Sequence, residues 1–301
     1  MTHETISTGS GPATPAAGAE SARARRAAAV RRRARLKLAE NLTLVAVAVI
    51  ILFPILWMVL TAFKSPVDVY RYTVWFTPTL QNFVEVFNPR WGIADKIINS
   101  TVISVSTVVI AIPIAVCSSY AFSRLNFPLK RTMFQWILLT QFIPAVVIVL
   151  PFYVMFRKIG LLDTYAALII VDLAIVLPYA IWTIKGFIDA IPMETEEAAI
   201  VDGASRARVL WDIVVPMARP GILTAAIFCF IITWNEFLFG YLLSRQKVVP
   251  LPVGIIGFLL ERGPVWELIA ATGIIITIPM FFFSMMIQRH FTKGMNLGAV
   301  R

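Results

Sequence analysis

The chain has 301 residues, of which 58% are hydrophobic and 15% charged, and its formal net charge is +10. Soluble domains carry about 45–50% apolar and about 25% charged residues, so an ordinary soluble fold is excluded. Nucleic-acid binding is a poor explanation for the positive balance, because the placement of the basic residues follows membrane topology.

Residues 1–40 form a tail with a basic run at Arg23, Arg25, Arg26, Arg31, Arg32, Arg33, Arg35 and Lys37. It is expected to be disordered and drawn to anionic membrane lipid. A signal peptide does not fit, since the apolar stretch that follows is too long and no Ala-x-Ala cleavage site follows. A hydrocarbon core about 30 Å thick takes roughly 20 apolar helical residues. Six windows in residues 41–301 meet that test, at about 41–63, 98–123, 132–156, 164–184, 220–243 and 268–288. The fourth contains only Asp172 as a charge and the fifth only Glu236. None alternates polar and apolar residues every second position, so a barrel is excluded and the fold class is an all-α membrane protein with six transmembrane helices.

With the N-terminus inside, 18 of the 27 Lys and Arg fall on the cytoplasmic side and 9 on the other. Eight of the 18 belong to the tail, which therefore carries the orientation and places both termini in the cytoplasm. Cys117 and Cys229 each lie within a span and read as small apolar residues. His3 and His290 lie at opposite ends of the chain, so no metal site is expected. Pro54, Pro113, Pro144, Pro151, Pro178 and Pro279 fall inside spans and predict kinks where neighbouring helices satisfy the freed carbonyls.

Two connections are long. The first, on the outer side after the first span, holds Trp75, Phe76, Phe83, Phe87 and Trp91 and reads as an interfacial belt. The second, residues 185–219, is cytoplasmic and has a pattern of its own. Pro192 is placed to start a short helix whose first turns hold Glu194, Glu196 and Glu197, which complement the positive end of the helix dipole. Gly203 can take the left-handed conformation that ends it, a second short helix follows, and Pro216 closes the unit. Ala198, Ala199, Gly203 and Ala204 leave a slim surface able to enter a groove on another protein.

Glu197-Ala198-Ala199, then Gly203, then Ile213 and Pro216 follow the spacing Glu-Ala-Ala, three residues, Gly, nine residues, Ile-x-Leu-Pro, with Val215 in place of Leu. This segment resembles the cytoplasmic loop signature of the permease subunits of ATP-binding-cassette importers. The resemblance runs over residues 41–300. Asn99-Ser100, the run Gly160-Leu161-Leu162-Asp163-Thr164-Tyr165, Trp234-Asn235-Glu236-Phe237 and Gly298-Ala299-Val300 are similar to the carbohydrate, maltose-type branch. Arg301 stands where that branch often has Lys-Gly.

The resemblance implies a type I importer permease bundle of MetI-like fold. It also implies a second homologous permease subunit, two ATPase subunits that use ATP and Mg, and an extracytoplasmic solute-binding protein. Residues 194–202 would be the coupling helix, with Glu197, Ala198, Ala199, Asp202, Gly203, Ala204, Ile213 and Pro216 as the ATPase-coupling residues. The chain has no Gly-x-x-x-x-Gly-Lys-Ser/Thr phosphate loop, so it is expected to bind no cofactor and to act as no enzyme by itself.

For the solute path, Asn235, Glu236, Asp172 and Trp234 are the candidates, because charge within a span is expensive and usually faces protein or water. Those polar groups would accept bonds from sugar hydroxyls, with Trp234 and Phe237 stacking on a sugar face, or they would bond across helices and hold the bundle. The structural alternative is preferred for both carboxylates. A polyol or glycerophosphodiester would suit the same machinery. An ATPase-independent secondary transporter would require an internal repeat and a coupling-ion site, and neither is evident.

Overall fold

The computed structural model describes residues 15–71, 73–260 and 263–298, with side chains over 36–71, 73–259 and 263–286. Residues 1–14, including His3, and 299–301, with the end of the Gly298-Ala299-Val300 motif, lie outside the described residues. Residues up to Trp57 and those from Met58 onward form two units.

Helix α1 (Pro15–Ala62), which belongs to the first unit as far as Trp57, begins well before the first span. The basic run from Arg23 to Lys37 therefore stands on helical backbone instead of the disordered tail expected from composition. Alternating Ala and Arg supply the reason, as both are strong helix formers. From Leu36 onward this helix is long and apolar enough to cross a membrane, and Leu44, Ile50 and Phe53 are exposed along it.

In the second unit, α2 (Ile93–Arg124), α5 (Tyr165–Asp189) and α7 (Arg219–Trp234) form the centre. Small residues let these helices approach closely in the way apolar solvent demands, where van der Waals packing replaces hydrophobic exclusion. Ala111, Ala115, Ala180 and Ala225 are all fully buried in one cluster. Gly221 marks a tight approach, because a Cβ there would collide with the Phe187 ring of α5. Ser119 Oγ donates to Ile181 O at 2.8 Å, a polar tie between α2 and α5. Helix α9 (Trp266–Gly298) is tied on by Trp234 Nε1, which donates to Ile276 O at 3.0 Å.

Among the described residues, five helices are continuous candidates for spans, and a bent pair makes a sixth. Where the sequence pattern gives a single helix at 132–156, α3 (Lys130–Leu139), a short 3-10 turn and α4 (Ala145–Lys158) meet at 96°. Pro144 causes the break, since it drives Ile143 to an extended conformation (φ −77°, ψ 118°) and supplies no amide of its own. The fifth span also differs in its limits. Its helical run begins at Arg206, passes through a π-helical turn at Val209–Val214, and stops at Trp234. A short helix α8 (Leu238–Leu243) follows the break.

Candidate functional site

Two ends of the bundle carry polar constructions. At one end, the chain leaves α5, turns at Ile191-Pro192 and forms α6 (Met193–Val201) with Pro192 as its N-cap residue. Glu194 and Glu196 lie in its first turn, as the dipole argument requires. The helix stops in a Schellman motif: the Gly203 amide donates to Ile200 O at 3.0 Å and the Ala204 amide to Ala199 O at 2.9 Å. Gly203 has φ +87°, a conformation open to glycine at little cost. Ser205 then caps the next helical run, its Oγ accepting from the Arg208 amide.

This local chemistry sorts the residues of α6 by face. Glu196 is buried, whereas Glu197, Ala198, Asp202 and Gly203 are exposed. Ala199 and Ala204 are half-buried and pack on the central cluster. Ile200 and Val201 project outward, Val201 with 86% of its surface free. Ile213 is half-buried and Pro216 is exposed. Pro216 does not close the unit, as the sequence pattern suggested: it lies inside the helical run that continues into α7. The π-helical turn immediately before it takes up the hydrogen-bonding disruption a proline imposes.

The inward face rests on a contact between residues far apart in sequence. Arg124, the last residue of α2, donates from Nε to Glu196 Oε1 at 2.6 Å and from Nη2 to the carbonyls of Ile188 and Ile191 at 2.9 and 2.8 Å. In the sequence Arg124 reads as one more topology-setting charge, and Glu196 as one of three similar glutamates. Helical phase relative to Pro192 was the only signal that could have separated Glu196 from Glu197.

At the other end, Asp163 adopts φ +61° ahead of α5 and turns its carboxylate into the loop after α8. The amides of Arg245, Gln246, Lys247 and Val248 donate to it at 3.0 to 3.2 Å. Partial desolvation pushes the Asp163 carboxyl up, but these four donors outweigh it and hold the carboxyl below the usual aspartate range. Asn99 Nδ2 donates to Lys247 O and Val249 O, Tyr165 Oη donates to Asn99 Oδ1, and Ser100 Oγ accepts from the Leu251 amide at 2.7 Å. Asn99-Ser100 and the Asp163 to Tyr165 part of its motif thus converge on one loop as a clasp. Beside it opens a cavity of about 650 Å³ lined by Lys96, Asn99, Tyr165, Tyr241, Arg245 and Lys247, among others.

The four solute-path candidates behave differently from one another. Glu236 accepts from the amides of Phe239 and Gly240, both at 2.8 Å, and so caps α8. Asn235 is exposed and its Nδ2 donates to Ile231 O at 2.7 Å. Together they make the break after α7. Trp234 is buried and bonded to α9, which leaves no free face for a sugar. Asp172 is buried and shares with Glu236, Thr233 and Ser100 a void of about 10 Å³, the size of one water. Of these four, Trp234 alone bonds across to another helix, whereas the Glu236 carboxylate is taken up by amides three and four residues onward. Phe237 stacks on Tyr241 with ring centroids 5.7 Å apart.

Among the described residues no group of three or more His, Cys, Asp or Glu side chains is placed to hold a metal ion. Residues 107–297 match the binding-protein-dependent transport system inner membrane component family.

The chain belongs to that family.

The match takes in α6 and all but the last residue of α9, and longer alignments to relatives extend it. The chain is 35% identical to a probable ABC transporter permease protein, y4oR, of Sinorhizobium fredii, over 84% of this chain and 92% of that protein. It is also 35% identical to the trehalose transport system permease protein SugB of Mycobacterium tuberculosis, over 83% of this chain and 92% of that one. Among solved structures, a chain of a bacterial ABC transporter that imports the acidic polysaccharide alginate superposes with a TM-score of 0.75. That likeness covers 87% of this permease and 98% of the other chain, at 22% identity. The protein is therefore a multi-pass membrane permease with the MetI-like importer fold, a transport component and not an enzyme.

Proposed function

We propose that this permease forms half of the translocation pore of an ATP-driven sugar importer and that α6 is its coupling helix. In this reading the α6 end of the bundle and both termini face the cytoplasm, where two ATPase subunits bind ATP and Mg. The Asp163 end meets the solute-binding protein, and a second, homologous permease completes the pore. The observation that carries the reading is the division of α6 into two faces. A Schellman-capped helix held inward by Glu196 and displaying Glu197, Ala198, Val201 and Gly203 outward suits a partner's groove. An exposed apolar side chain such as Val201 at a helix end, with small residues around it, gains from being covered.

Sugar as the solute is supported by the trehalose permease among the relatives. The cavity at the Asp163 end has tyrosines and amides of the kind that bind hydroxyl-rich molecules. The test is purification through a tag on this chain, followed by uptake in membranes with Glu197→Lys and Gly203→Pro. The unsubstituted chain should bring down an ATPase. Both variants should reach the membrane and lose ATP-driven uptake, and undiminished uptake in both would refute the coupling role.

A further inference from the structure

The docking face hangs on one buried ion pair, and that pair ends a continuous helix to the opposite side of the bundle. The Arg124 and Glu196 side chains retain only 8% and 6% of their surface. The guanidinium is engaged on several sides: by the Glu196 carboxylate, and by the carbonyls of Ile188 and Ile191 where α5 ends and the turn to α6 begins. Ile188 O also accepts the Ile191 amide at 3.1 Å, and Ile191 O lies beyond the end of α5. Tyr120, one turn back on α2, lies against the same carboxylate. Glu196 therefore binds α6 to α2 while its neighbour Glu197 faces away.

Holding two helices together does not require such a pair. Desolvating both charges costs about as much as their attraction returns, and apolar side chains of similar volume often do as well or better. A planar, forked guanidinium differs in fixing direction, since its donors are held at set angles to one another. Helix α2 then runs for 32 residues, roughly 48 Å at 1.5 Å per residue. Asp95, Lys96 and Asn99, at its far end, line the 650 Å³ cavity.

We propose that Arg124 is a positioning residue of the transport cycle: its bonded pair with Glu196 is the joint through which movement of α6 is passed along α2 to the cavity at the other end. This rests on α6 being the ATPase-docking helix. An ordinary structural anchor and a joint make different forecasts. With an anchor, a variant that still folds and assembles transmits normally. With a joint, such a variant assembles and hydrolyses ATP while the cavity fails to respond.

The experiment uses the membrane complex purified through this chain, with Cys117→Ser and Cys229→Ala and spin labels at Asp95→Cys and Gln246→Cys, both exposed on the cavity wall. The label separation is measured by pulsed electron resonance without nucleotide and after trapping with ATP and vanadate. Unsubstituted at 124 and 196, the complex should show a shift. Arg124→Lys, which keeps the charge and loses the fork, and Glu196→Gln should retain the ATPase and lose most of the shift. The exchange Arg124→Glu with Glu196→Arg should regain part of it. A full shift in Arg124→Lys and Glu196→Gln overturns the proposal, as does failure of all the variants to accumulate or absence of a shift in the parent complex. Failure of the docking reading is seen separately, as a parent chain that brings down no ATPase.

Discussion

The two ends of this bundle use similar residues to opposite effect. At the Asp163 end, polar side chains turn inward onto backbone: Asp163, Asn99 and Ser100 satisfy the amides and carbonyls of residues 245–251 and close the loop on itself. At the α6 end, Glu196 is the one charged side chain that turns in, Ala199 packs beside it, and Glu197, Ala198, Ile200 and Val201 are left outward. Side chains used up on backbone set a shape, and side chains left free at a capped helix stay available to a partner. That contrast separates positioning from recognition better than residue type does, because both ends are rich in carboxylates.

The contrast can be broken most forcefully at Arg124. Arg124→Leu leaves the Glu196 carboxylate buried without its cation and should cost about 3–5 kcal/mol, seen as loss of folded protein in thermal denaturation. Asp163→Asn removes a charge from four amide bonds and should cost about 1.5–3 kcal/mol, with faster hydrogen exchange confined to residues 244–249. The sign of its pH dependence follows from the lowered carboxyl. The contribution is complete above the unfolded aspartate value, about 3.9, and is lost as pH falls through the lower folded value. Exchange protection of that loop, corrected for intrinsic rate, should hold constant from neutral pH and fall only in acid. Gly221→Val forces a side chain into the Phe187 ring and should cost about 1–3 kcal/mol, read as a lower Tm. Glu197→Lys, on the outward face, should change stability by less than about 0.5 kcal/mol and still abolish ATP-driven uptake.

Much of this architecture is legible in the amino-acid order, for identifiable reasons. Long uncharged runs mark spans because the bilayer imposes a length. Pro192 and Gly203 mark the limits of α6 because each has a conformational preference that few other residues share. The rest depends on contacts across the fold. Arg124 and Glu196 are 72 residues apart, and no local rule pairs them. Pro144 falls at a bend of 96°, whereas Pro113 and Pro178 lie within unbroken helices, so the residue alone does not announce a break. Pro216 reads as a terminator and sits inside a helix, because the π-helical turn before it relieves the strain. Glu236 reads as a lone intramembrane charge. Its nearest donors prove to be amides three and four residues onward, exposed by the end of α7.

The central claim, that α6 presents its outward face to an ATPase, is tested most directly by a photo-reactive residue at Val201, the most exposed of the large apolar side chains of α6. In the complex purified through this chain, illumination should join residue 201 to the ATPase subunit, while the same group at Gln246 should join no ATPase. Absence of that adduct at 201, or an equal adduct at 246, would contradict the account.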